Sequence, residues 1–244
     1  MENLSRTPPR WMQQWWLWFT AIFAITLAIF WPTFLSGISE YKIPVIIHGT
    51  SAIGWMLLTV VQALLIRNRR RKPHHAIGYS SLVLAILVVA SGLQMERQMI
   101  LRDGTDTAGE PLLSIMFFYN DVIALGLFCL FLALAVLAAR RRDIALHLRL
   151  IACTAIVPLT PALLRAFKAA TPQLAPDWTT ALAASQVALI GLTGALVLAE
   201  WRYSRLRWPF ASLLIYYVIM YATTERFADD AWLQSFAFGF AGGT

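Results

Sequence analysis

Charge is scarce in this chain. Only 14% of its 244 residues are Asp, Glu, Lys or Arg, where a soluble domain carries about a quarter, and 59% are hydrophobic. That balance excludes an ordinary water-soluble globule. Cysteine is nearly absent. Cys129 and Cys153 both fall inside apolar stretches with no Cys-x-x-Cys, so neither a disulfide framework nor a thiolate metal site is indicated. The phosphate-cradling GxxxxGK[ST] and GxGxxG loops, the HExxH pair and the GxSxG elbow are missing too, which argues against nucleotide hydrolysis and soluble-type hydrolase chemistry. No convincing small-residue cleavage site follows the N-terminus. The apolar run after Trp11 continues to about Phe34, too long for a signal-peptide core, and reads as an uncleaved first span.

What the sequence does contain is seven apolar stretches: 12–34, 43–66, 76–95, 113–139, 146–168, 178–200 and 208–225. About twenty apolar residues cross a bilayer as a helix. The stretches therefore predict an all-α integral membrane protein of about seven transmembrane helices forming one polytopic domain. Spans two to five (43–168) form a four-helix core, and spans 12–34, 178–200 and 208–225 lie around it. The seventh stretch is short and ends in Thr223, Thr224, Glu225 and Arg226. The segment 97–112 reads as an exposed outer turn from its Gly, Asp and Thr content. The tail 231–244, with Trp232, Phe236, Phe238 and Phe240, is too short to span and is expected to lie on the outer interface or to cover the bundle. Trp11, Trp15, Trp16 and Trp18 suit an interfacial aromatic belt.

The net charge of +7 is sorted. With the N-terminus inside, the inner segments hold 14 basic residues, among them Arg67, Arg69, Arg70, Arg71, Lys72, Arg140, Arg141, Arg142, Arg202, Arg205 and Arg207, against three acids, Glu2, Asp143 and Glu200. The outer side holds six basic residues and ten acids. This asymmetry predicts an N-terminus inside. It also assigns the basic residues to anionic lipid headgroups rather than to nucleic acid.

Spans two and three form one hairpin, and spans four and five another. A shift of 73 residues superposes His74 on His147, Arg67 on Arg140, Arg69 on Arg142 and His48 on Asp121. Identities along the shift are no more than chance gives. The placement of polar residues is what matches, as expected of two parallel repeats or of convergence under the positive-inside rule.

An ionisable residue within a span is costly and marks a functional site by default. His48, Asp121 and Arg165 fall in the outer halves of spans two, four and five, where they form either a polar site or a hydrogen-bonded lock between helices. Pro158 and Pro161 should kink span five in the same half, by simple bending or to line a cavity. His74 and His147 open spans three and five at the inner face. Two imidazoles at one depth on facing helices are what bis-histidine ligation of haem b needs, although histidines beside an arginine run also serve as caps or headgroup contacts. Gln62 shares a face with His48, with Trp55 and Thr59 between them. Gln186, Thr193 and Glu200 recur every seven residues on one face of span six. Both stripes should pack inward, and a proton or solute path along them is the weaker reading.

The segments His48-Gly-Thr-Ser-Ala-Ile-Gly-Trp, Gln62, Arg67, His74-His75-Ala-Ile-Gly78, His147-Leu-Arg-Leu and Leu164-Arg165 resemble an uncharacterised bacterial membrane family, domain of unknown function 2306. That family is distantly similar to the b-type transmembrane cytochromes. His75 stands where the family has arginine after its histidine, and Ile151 where it has methionine. The resemblance covers about residues 44–167. It implies that His48, His74, His147 and Arg165 are the site positions, that haem b is the cofactor, and that the location is a bacterial inner membrane.

Three functions fit these observations. The first is a haem-b redox or electron-transfer protein with His74 and His147 as ligands and His48 with Asp121 near a second, outer site, exchanging electrons with a quinol. The second is an accessory or assembly subunit that docks to a larger membrane complex through its aromatic belt and tail. The third is a small transporter or proton-coupled sensor using Asp121 and the stripe from Gln186 to Glu200.

Overall fold

The computed structural model describes residues 14–105, 111–171, 173–175, 177–203 and 207–242. Arg6, Arg10, Trp11, Arg205 and the middle of the 97–112 segment lie outside them. Among the described residues every regular element is helical, the one way an open chain satisfies its backbone in hydrocarbon. The elements are α1 (Trp15–Thr33), α2 (Ile43–Arg67), α3 (Arg71–Thr105), α4 (Pro111–Arg140), α5 (Ile144–Ile156), α6 (Thr160–Ala170), α7 (Trp178–Tyr203), α8 (Trp208–Ala228) and α9 (Ala231–Ala241). Six spans are long and apolar enough to cross a membrane: Trp15–Thr33, Ile43–Arg67, Arg71–Arg102, Leu113–Arg140, Ile144–Ala170 and Trp178–Tyr203. The chain is thus an all-helical, multi-pass membrane protein. The seventh apolar stretch forms the 21-residue α8, which carries Glu225 and Arg226 near its end and is not among those six.

Helices α2 to α5 pack in a ring: α2 on α3, α3 on α4, α4 on α5, and α5 back on α2. Helix α1 covers α2 and α6, and α7 packs on α6 and α8. Helix α8 enters the same core, placing Phe210, Leu213, Tyr217 and Met220 against Phe131, Leu150 and Cys153. At the basic end, the Asp143 side chain caps α5 by accepting from the Leu146 amide at 3.0 Å. It also receives Arg207 Nη1 at 2.8 Å, and this guanidinium, with the Leu146 amide, holds the half-buried Asp143 carboxyl below the usual carboxylate range.

The two hairpins turn in the same way. Arg69 and Arg142, 73 residues apart, both adopt positive φ, 58° and 61°. Around the first, the amides of Asn68, Arg69 and Arg70 donate to the carbonyls of Leu64, Ile66 and Leu65. Around the second, the amides of Arg141, Arg142 and Asp143 donate to Leu137, Ala139 and Ala138, the same positions shifted by 73. Each is a Schellman closure with arginine where glycine is usual.

One boundary differs from the sequence expectation. The segment 97–112 is not a loop throughout, because α3 runs on to Thr105. Its Arg97 Nε donates to the Ala241 carbonyl at the end of α9, at 3.0 Å. The tail covers the bundle: Leu233, Ala237 and Ala241 are buried in a cluster with Ile100 and Phe118, while Trp232 stays exposed.

Candidate functional site

Helix α3 continues past Met95, so Glu96 lies inside the bundle rather than in a loop, and it is 7% exposed. It joins His48 of α2, Asp121 of α4 and Arg165 of α6 around a cavity of about 180 Å³. The site therefore draws one ionisable side chain from each of four helices. Pro158 and Pro161 form another part of the wall. They break the fifth span into α5 and α6 through a 3₁₀ turn at Val157–Leu159, since proline supplies no amide to the helical ladder. Tyr217 of α8 donates its hydroxyl to the Ile156 carbonyl at 3.3 Å beside the break. The kink thus lines a cavity, and most of the rest of the wall is apolar or aromatic, including Phe30, Phe34, Trp55 and Phe128.

His48 is held by Ser91 of α3, whose hydroxyl lies 3.2 Å from Nδ1. The Glu96 and Asp121 carboxyls lie within hydrogen-bonding reach of each other. Arg165 lies within electrostatic range of Asp121. Its Nη1 donates to the Pro161 carbonyl at 2.9 Å, and its guanidinium sits 4.9 Å from the centre of the Phe30 ring. Tyr119 and Asn120, the neighbours of Asp121, turn the other way and bond Thr223 and Thr224 of α8 at 3.1 Å and 3.0 Å.

The 73-residue shift runs through this cavity. His48 and Asp121, Ala52 and Leu125, Trp55 and Phe128, Val88 and Pro161, and Gly92 and Arg165 are five pairs related by it, and both members of every pair line the cavity. Trp55 and Phe128 meet edge to face, with ring centroids 4.8 Å apart. The cavity therefore lies where the two hairpins face each other at equivalent positions.

The other ionisable positions gather elsewhere. At the basic end His74 and His147 lie within electrostatic range of each other, and neither lines the cavity. His147 Nδ1 is 2.9 Å from the Ala135 carbonyl. A carbonyl only accepts, so Nδ1 carries the hydrogen and Nε2 keeps a lone pair. His74 Nδ1 is buried without a hydrogen-bond partner, as are both amide atoms of Gln62. Among the described residues no three of His, Cys, Asp and Glu come together as a metal-binding group.

The stripe on α7 is consumed by packing. Gln186 Nε2 donates to Asn120 Oδ1 at 2.8 Å, and Thr193 to the Leu189 carbonyl at 2.7 Å. Glu200 is ion-paired with Arg149 of α5 and accepts from the Arg207 amide.

These features define a multi-pass helical membrane protein with a largely apolar cavity, carrying four ionisable side chains, at the meeting of two like hairpins. No family model, curated protein or solved structure matches the chain, so the family resemblance rests on the residues quoted for it.

Proposed function

We propose that the protein is a small proton-coupled transporter or sensor of a bacterial inner membrane, with seven spans and the N-terminus inside, and that the cavity is its working site. The convergence of His48, Glu96, Asp121 and Arg165 on one cavity between the two hairpins carries this reading. Binding sites between repeats are the common arrangement in secondary transporters. Two carboxyls within hydrogen-bonding reach hold one proton between them, because two like charges that close cannot both persist away from water. The remaining negative charge is balanced by Arg165. Losing the proton would leave the site one negative charge in excess, so proton release is favoured when an incoming solute supplies a donor to the carboxylates. His48, anchored by Ser91 on the wall of the same cavity, is a group able to relay that proton. The sorting of arginines supports the orientation, and the family resemblance supports the membrane.

Infrared difference spectra of the protein in liposomes, recorded across a pH titration, test the pair. A protonated-carboxyl band is expected that is lost in Glu96→Gln and in Asp121→Asn alike. A band indifferent to both substitutions, or no band at any pH, overturns the reading.

A second reading keeps haem b at His74 and His147. The free imidazole nitrogens and the unpartnered amide of Gln62 favour it. Bound there, haem would supply one-electron chemistry. This chain would contribute the two imidazoles, with the Ala135 carbonyl orienting His147.

A further inference from the structure

Packing closes the cavity toward both ends of the bundle. One turn past Phe128, toward the basic end, lie the buried Phe131 and Leu132, packed with Leu150. Toward the other end, Ile100 sits one turn beyond Glu96 and Phe118 one turn before Asp121. Both are buried, in a cluster with Leu233 and Ala237 of α9.

The flank facing α1 is built differently. Helix α2 packs on α5, before the break at Pro158 and Pro161, whereas α6, after it, packs on α7 and α1. Helix α1 bridges from α6 to α2. It places Phe30 and Phe34 on the cavity wall, while Ile25 and Trp31 of the same helix are 60% and 62% exposed. In a bilayer, one helix therefore separates the cavity from lipid. Phe30 is half-buried and lies 4.9 Å, centroid to guanidinium, from Arg165 of α6. Phe34 lies on Gly49 of α2 so closely that a Cβ there would overlap its ring. Neither ring carries a polar atom, so each side of the gap is met by an aromatic contact, which is weak and reversible. Pro32, between the two rings, takes one amide out of the last turn of α1.

We propose that Phe30 and Phe34 form a side gate through which the cavity takes up a small solute dissolved in the bilayer. This rests on reading the cavity as the working site. The mostly apolar wall suits a molecule that already partitions into lipid, and Arg165, against Phe30, is the charged group at the entrance. The test is photolabelling of the full chain in liposomes with 3-trifluoromethyl-3-phenyldiazirine, which dissolves in the bilayer, and with its 4-carboxylate, which stays in the water outside. Label is read by mass spectrometry at Met56, Val88 and Phe128, which line the cavity and are 4%, 7% and 3% exposed. All three are expected to take the bilayer probe. Phe34→Ala, and Gly49→Ala, whose methyl displaces the ring, should each raise that labelling at least about threefold, the size expected when one aromatic contact is lost. The carboxylate should leave all three unmarked. Labelling by the carboxylate as strong as by the bilayer probe would mean entry from water. Labelling unmoved by both substitutions, or absent throughout, would mean that this flank stays shut. Each of these results overturns the proposal. A carboxyl band that titrates without gated labelling ends the gate and leaves the proton reading; gated labelling without that band does the reverse.

Discussion

At the scale of residues, the costly side chains mark the site. His48, Asp121 and Arg165 are legible in the sequence because a charge inside an apolar span needs a reason, and the fold brings all three to one cavity. Glu96 is not legible in the same way. It is the first charged residue after an apolar run, where a hydropathy reading ends the span. A signal was present in the spacing: Val88, Gly92 and Glu96 recur every four residues and all line the cavity. Asp121 has Glu96 beside it as well as the charge of Arg165. His74 and His147 are also drawn together, at the basic end. If they hold haem, a reduced-minus-oxidised absorption spectrum of the purified protein shows a b-type band that disappears in both His74→Ala and His147→Ala. A flat spectrum removes haem and leaves the cavity untouched.

Between elements, polar side chains join what apolar packing alone would leave free to slide. The stripe on α7 follows from its seven-residue period, and its inward packing was expected because amides facing lipid are unfavourable. Its partners were not readable. Asn120, Thr224 and Arg149 lie 66, 38 and 51 residues away from the stripe residues they bond, and no local pattern encodes such pairings. Glu200 is 4% exposed, and Arg149 supplies it with a countercharge. Removing one partner of a buried pair costs about 3–5 kcal/mol, more than removing both. Arg149→Met is therefore expected to lower stability by about that amount, with much of the loss recovered in Arg149→Met/Glu200→Leu. Unfolding of the two variants in a denaturing-detergent titration measures this. Equal losses would show that Glu200 does not need Arg149 as its countercharge.

For the whole molecule, the arginine clusters lie in the turns between α2 and α3 and between α4 and α5, and beside the turn between α7 and α8, on one end of the bundle as the charge sorting requires. In a chain with Cys129 and Cys153 replaced by alanine, a membrane-impermeant maleimide added outside is expected to label Lys42→Cys and Asp229→Cys. Asn68→Cys should stay protected until the membrane is opened. A shielded Asp229→Cys would mean that α8 does not cross. Composition and period alone determined that the chain is helical, where its apolar spans lie and which ends carry the positive charge, because a bilayer constrains every residue by the same local rule. The hairpin likeness was visible only as a placement of polar residues. Its substance is backbone geometry, the paired left-handed arginines and their shifted hydrogen bonds. Only the tertiary structure decided that equivalent positions enclose a cavity, that Glu96 belongs to it and that the kink at Pro158 and Pro161 opens toward it. Those outcomes depend on the rotation and depth of each helix against its neighbours, which packing among distant residues sets and no single segment contains.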